Sequence, residues 1–343
     1  MKLPFFKSRK RKAAEAKAAE EAAAVAQAVV EEAAAPAAPP APKSKTRRVP
    51  AEQVVDSIGY VLAAVPSLGP TVKAWRKLGF HVSESYAWQG CQAAHIDLDS
   101  GGIRFVAADA QAEATTVANL VRSRLVLGSG LIGWTWACGE PHRSALAIGQ
   151  LAGKEFHKDC EDWDDEFIQI PMELTPAAAT WLEKPADNAA ARPSHANSIT
   201  RLDHLVLQVS LSKVAAQTYE KHFGLRGRTS AMNERYYAFL KAGTSLLEIV
   251  GPQKTGTQNS GPQNLGPQNL GTVEDGEKKA ADSNRMTGGP WGLAFGSSNI
   301  DATVTFLNMA SVEVTDPQRA VQGGRITGMK APLGGIHLAF MGE

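Results

Sequence analysis

The stretch Arg201-Leu-Asp-His-Leu-Val-Leu-Gln-Val209 decides the fold. Aliphatic residues dominate it and polar ones alternate with them, the pattern of a strand with one buried face. Just after it, Ser210 or Ser212 is placed to cap a helix over about 213–223, with Val214, Thr218 and Tyr219 on one side. Gly224 supplies the left-handed stop. Next come Tyr236-Tyr-Ala-Phe-Leu240, a turn at Ala242-Gly243-Thr244, and Leu246-Leu-Glu-Ile-Val250. The order is strand, helix, then further strands.

The same order recurs on both sides of this segment, and a recurring unit is the sign of a fold built from repeats. Upstream, 58–65 reads as a strand and 70–78 as a helix with Pro70 near its start and Gly79 at its end. Leu78-Gly-Phe80 stands there where Phe223-Gly-Leu225 stands in the clearest copy. Strands at 93–98 and 103–107 then meet across Asp99-Ser-Gly-Gly102. A weaker copy runs through a strand at 131–138, a helix near 141–151 and a late strand at 167–172. Downstream, Trp291-Gly-Leu-Ala-Phe295 precedes a capped helix at 299–307, and 324–330 and 335–341 close the last copy. Residues 176–199, rich in Ala and Pro, read as a connection between two pairs of copies.

Two segments stand apart. Residues 1–50 are dominated by Ala, Glu and Lys with a Pro/Ala spacer, so a disordered tail or a fraying helix is expected. Its basic cluster beside Phe5 and Phe6 suits an anionic membrane surface or a partner, and equally a solubilising terminus. Residues 253–289 carry the tandem Gly-Pro-Gln-Asn-Leu repeat and read as a disordered insertion between strands.

The chain has 343 residues, 36 Lys+Arg against 35 Asp+Glu, and a net charge of +1, so no global field recruits nucleic acid. Three cysteines without CxxC spacing argue against a disulfide framework or a structural zinc. No apolar run is long enough to span a bilayer, and Leu3-Pro-Phe-Phe6 is followed at once by basic residues. A cytoplasmic location is expected. The basic, Ala-rich start leaves organellar import open, although its glutamates speak against a transit peptide.

Asp203-His204 within the first strand, Leu247-Glu-Ile-Val-Gly-Pro252, Trp291-Gly-Leu-Ala-Phe295 with Ile300-Asp-Ala302, and Ala320-Val-Gln-Gly-Gly-Arg325 leading to Leu338-Ala-Phe-Met341 resemble one known family. It is the vicinal oxygen chelate superfamily, which includes glyoxalase-like, bleomycin-resistance and extradiol dioxygenase proteins. More narrowly, these residues resemble its poorly characterised glyoxalase-like members. The resemblance implies an α+β fold of four βαβββ modules paired into two tandem half-open β-barrel domains, at 57–175 and 200–343. It also implies a small-molecule site inside a cup, and a divalent metal held by the first and last strands of paired modules.

His204 and Glu248 match such first-strand and last-strand positions, and period-2 alternation puts Leu202, His204, Val206 and Gln208 on one face. They form half of a metal set, or a catalytic pair in which Glu248 acts as a base with a pKa raised by burial, or a hydrogen-bonded structural pair. The other half is missing, because Gly292 and Leu338 occupy the matching positions and His337 is offset by one residue toward the opposite face. In the first module the matching positions are Tyr60 and Phe105, so that half is expected to bind no metal. Asn233, Arg235, Tyr237 and Arg325 are candidates for lining a substrate site, Arg being suited to grip a carboxylate or phosphate. The acidic run 157–166 fits no calcium-loop template and reads as a solvated loop. The function expected is binding or transformation of a small oxygenated organic molecule in the second domain, of lyase, isomerase or dioxygenase class if catalytic. The alternative is a non-catalytic scaffold on the same fold.

Overall fold

The computed structural model describes residues 54–108, 114–154, 167–185, 192–232, 234–252, 288–320 and 323–343. The tail 1–50 and the acidic run, apart from its neighbours, lie outside these residues. So does the insertion, except for Gly288 and Gly289.

The first half contains β1 (Ser57–Ala64), α1 (Leu68–Lys77), β2 (Tyr86–Trp88), β3 (Cys91–Asp97), β4 (Gly102–Ala107) and α2 (Thr116–Leu127). It continues with β5 (Gly130–Ala137), α3 (Pro141–Ala152), β6 (Phe167–Ile170) and β7 (Ala179–Glu183). The second half contains β8 (Ile199–Val209), α4 (Ser212–Phe223), β9 (Arg226–Met232), β10 (Arg235–Ala242) and β11 (Ser245–Pro252). Then come β12 (Gly288–Ser297), α5 (Ile300–Met309), β13 (Gln318–Arg319), β14 (Arg325–Gly328) and β15 (His337–Gly342).

These strands make two curled mixed sheets of seven and eight strands, ordered β2-β3-β4-β1-β5-β7-β6 and β13-β14-β15-β12-β8-β11-β10-β9. In each, the first strands of two modules pair antiparallel at the centre, β1 with β5 and β8 with β12. Each central strand then pairs parallel with the last strand of its own module. This is the expected α+β architecture of paired modules forming half-open barrels; three modules read βαβββ, and the second shows βαββ among the described residues. One strand lies where a connection was expected: β7 falls within 176–199 and completes the first sheet. Its Ala-Thr-Trp-Leu core is short, and the Ala- and Pro-rich flanks mask it in the sequence.

Local chemistry sets the helix ends. Gly224 ends α4 at φ 65°, ψ 16°, the left-handed conformation anticipated for it. Asn299 caps α5 by accepting a hydrogen bond from the Ala302 N–H. Neither Ser210 nor Ser212 caps α4, because the N-cap position falls on Leu211. Helix α2 has no counterpart in the other modules among the described residues, and Thr115 caps it by accepting from the Ala118 N–H.

One face of each sheet shares a continuous apolar core with α1, α3, α4 and α5. There Trp75 and Phe80 of the first half meet Phe295 of the second, at ring distances of 6.3 and 5.2 Å. Trp136 packs 5.1 Å from Phe223. Residues from both halves interleave in this core, so it ties them together. His195 adds a polar bridge: its Nδ1 accepts from the His81 N–H at 3.0 Å and its Nε2 lies 2.9 Å from the Asp97 carbonyl. The opposite faces of the two sheets remain, and their fates differ.

A candidate ligand site in the second cup

In the first half, α2 lies on the free face of the sheet. Its Val117, Ala118 and Val121 pack against Leu62, Ala64, Val106, Ile132, Ala179 and Trp181, all buried. The rest of that cup holds Arg104, whose guanidinium lies between the rings of Tyr60 and Trp88, 4.1 and 4.3 Å from their centroids. Its Nη2 donates to Glu183 Oε1 at 2.8 Å. Burial opposes the charge, but the field of Glu183 and the neighbouring tyrosines holds the Arg104 pKa above its ordinary value. Tyr60 donates to Asp97, and His95 Nε2 lies 3.1 Å from the other oxygen of the same carboxylate. The His95 contact, more than the opposing effect of burial, lowers the Asp97 pKa to about 2. This cup is filled by side chains.

Among the described residues the second cup is open. Its cavity of about 150 Å³ is lined by residues of β8, β9, β10, β11, β12, β14 and β15. On β8 the simple alternation fails. His204 stands opposite Ala294 of β12 and Leu202 opposite Phe295, so Asp203 is an extra residue at a β-bulge. Leu202 and Leu205 therefore both enter the core, while His204, Val206 and Gln208 line the cup. The expectation that Leu202 shares a face with His204 is corrected by this bulge.

His204 is only 1% exposed. Its Nδ1 lies 2.7 Å from Asp203 Oδ1, yet neither ring nitrogen makes an aligned hydrogen bond among the described residues. Partial burial works against the Asp203 carboxylate, but His204 and Arg201 hold its pKa below the ordinary value. The His204 ring meets Phe239 edge-on at 6.3 Å, and Phe239 lies parallel to Tyr237. Glu248, half-buried, is in register with Val206 on β8 and Phe239 on β10. Its β11 neighbour Leu246 is the one opposite His204, so Glu248 sits one same-face step away.

On β15 the expected parity is inverted. His337, Ala339 and Met341 face the cup, while Leu338 and Phe340 belong to the core. The spacing count from Gly334-Gly335 was off by one because Leu333 and Ile336 close that turn as a bridge before the strand starts. His337 stacks on Trp291 with centroids 4.1 Å apart, and burial pushes its pKa below the ordinary histidine value. The first half shows the same offset. Arg104 opposes Leu62 as Glu248 opposes Val206, so Tyr60 and Arg104 stand where His204 and Glu248 stand, and Phe105 points into the core.

Of the other candidates, Arg235 and Tyr237 line the cavity. Arg325 does not. It lies on the opposite parity to Ile326 and Gly328 of β14, and makes a two-pronged ion pair with Asp301 of α5 at 2.9 and 2.7 Å. Asn233 lies outside the described residues.

No family model and no curated protein sequence matches the chain. Solved structures do. A mutant of 4-hydroxymandelate synthase from Streptomyces coelicolor superimposes with a TM-score of 0.52 at 16% identity, covering 84% of this chain and 92% of its own. BphC, a halotolerant catechol dioxygenase, gives 0.51 at 12% identity over 85% and 88%. A xylose isomerase-like TIM barrel/4-hydroxyphenylpyruvate dioxygenase fusion protein gives 0.54 at 14% identity over 85% of this chain and 50% of its own. These likenesses show a shared fold, the one that the resemblance to the vicinal oxygen chelate superfamily led us to expect. That superfamily implies a divalent metal, and the residues present do not fit one. Among the described residues no three His, Cys, Asp or Glu side chains gather to hold an ion. The β12 residues that line the cup, Trp291, Gly292, Leu293 and Ala294, offer no such side chain, and His337 is occupied by its stack on Trp291. Among the described residues no helix is long and apolar enough to cross a membrane.

Proposed function

We propose that the second domain, about 200–343, binds a small oxygenated organic molecule in its cup, and that the first domain is its structural partner. The observation that carries this reading is His204. Among the described residues its Nε2, buried in the lining of an open cavity, has no hydrogen-bond partner. A buried polar atom left unsatisfied costs about 1–3 kcal/mol. A ligand oxygen placed against it recovers that cost, so the site is built for a molecule that supplies one. Glu248 lies one same-face step along the neighbouring strand and serves as the general base if the ligand is transformed. The wall around both groups is mostly apolar. An apolar cavity of roughly 150 Å³ takes a benzene-sized molecule, so a single ring or short branched chain fits.

The reaction, if there is one, is of the lyase, isomerase or dioxygenase type. The names of the fold neighbours, which include a hydroxymandelate synthase and a catechol dioxygenase, support an oxygenated aromatic ligand. The filled first cup supports a scaffold role for that half, with Arg104 and α2 taking the space a ligand would need.

Paired substitutions at Glu248 test the assignment. Glu248→Gln keeps the shape and removes the base, so turnover should fall with the melting temperature unchanged. Glu248→Leu that lowers the melting temperature without affecting binding or turnover would make the residue structural and overturn the reading.

A further inference from the structure

The wall of the second cup made by β9 and β10 is cationic. On β10, Arg235, Tyr237 and Phe239 line or face the cavity, and Lys241 continues the same parity. On β9, Ser230 and Met232 line it and Arg228 and Arg226 continue that parity. The Arg228 guanidinium confirms the facing, since it stands 5.4 Å over the Phe239 ring. Four cations thus share one face of two neighbouring strands in a chain whose net charge is only +1.

Their pairing state is the second observation. Ion pairs elsewhere neutralise Arg76, Arg104, Arg201, Arg325 and Lys154, but among the described residues no carboxylate pairs with Arg226, Arg228, Arg235 or Lys241. The nearest acid in sequence, Glu234, precedes Arg235 at φ 63° and makes no ion pair with it. Among the described residues Glu248 is the one carboxylate in the cavity lining. Of the four cations, Arg235 alone lines the cavity, half-buried beside Met232 at the end of the wall. A fork of donors at the edge of an apolar cavity is suited to a planar or tetrahedral oxyanion, and the exposed cations behind it raise the local concentration of anions.

We propose that the ligand of the second cup is an organic anion, with an apolar body in the cavity and a carboxylate or phosphate head on Arg235. Arg226, Arg228 and Lys241 steer it in. This deepens the reading of the cup as a ligand site and rests on it. The β9–β10 wall supplies the specificity, and His204 and Glu248 meet an oxygen carried on the otherwise apolar body of the ligand.

Calorimetric titration with benzoate, phenyl phosphate and benzyl alcohol tests it, using the full chain and Arg235→Met. The wild-type chain should bind at least one of the two anions tenfold or more tightly than the alcohol, with affinity falling as salt rises. Arg235→Met should lose that preference while keeping its affinity for the alcohol. The anion preferred by the wild type distinguishes a carboxylate head from a phosphate. Equal affinity of the wild type for the alcohol and both anions would overturn the anion inference and leave the cup as a ligand site. A preference that survives in Arg235→Met would remove Arg235 as the anchor. Failure of all three probes to bind would count against the inference and the ligand-site reading together.

Discussion

Glu183→Leu should destabilise the protein by about 3–5 kcal/mol, because it leaves the Arg104 charge buried without its partner. The side chains are 7% and 18% exposed, and the contact is 2.8 Å, so little solvent screening softens the loss. The rings of Tyr60 and Trp88 against the guanidinium, worth about 0.5–2 kcal/mol each, recover part of it and place the result toward the lower end. Replacing both partners is a different matter. In Arg104→Met with Glu183→Leu, no charge is stranded and the methionine still packs between the two rings. Exchanging a whole buried pair for apolar side chains is often neutral, so the double variant should lie within about 1 kcal/mol of the wild type. Urea denaturation followed by tryptophan fluorescence gives both values. A loss under about 1 kcal/mol in Glu183→Leu, or a double variant no better than the single, would refute the claim that this pair fills the first cup as a structural element.

Two further outcomes follow from named groups. Burial lowers the His195 pKa in the folded chain below the ordinary 6.5, so the unfolded state binds more protons as pH falls through that value. Stability contributed by neutral His195 is present above pH 6.5 and declines below it. The melting temperature should drop between pH 7 and 5.5, and less steeply in His195→Asn; equal slopes would remove His195 from the account. Because His204 and Glu248 lack a third ligand near them among the described residues, dialysed protein should retain well under one equivalent of divalent metal per chain by elemental analysis. A full equivalent that disappears in His204→Ala would restore a metal centre.

The modules were legible where local rules and tertiary structure agree. The alternation over 201–209, the glycine stop at 224 and the asparagine cap at 299 each act within a few residues, so the sequence states them openly. What was not legible depends on pairing between distant strands. The bulge at Asp203 arises from how β8 meets β12, residues some ninety positions apart, and it alone moves Leu202 off the face of His204. The turn before β15 shifts the strand by one residue, which brings His337 to the cup and packs Leu338 into the core. The same kind of offset exchanges Phe105 for Arg104 in the first half. Arg325 was misplaced because parity within β14, set by its pairing with β15, sends it to Asp301. Helix α2 carried no module signal at all. Its position in the first cup follows from the shape of the sheet it fills.

The central claim is that the second cup alone holds the ligand, and filling it is the direct test. Ala294 faces the cavity from β12 opposite His204, so Ala294→Trp places an indole where the ligand would sit. Thermal shift should be measured on this variant and the wild type across a panel of single-ring and short-chain carboxylates, phosphates and alcohols. A ligand held at one hundred times its dissociation constant stabilises the folded state by about 2.7 kcal/mol, a shift such assays resolve. The account predicts that at least one compound raises the wild-type melting temperature and none raises that of a folded Ala294→Trp. The same compound stabilising both chains equally would contradict it and place the ligand outside the second cup.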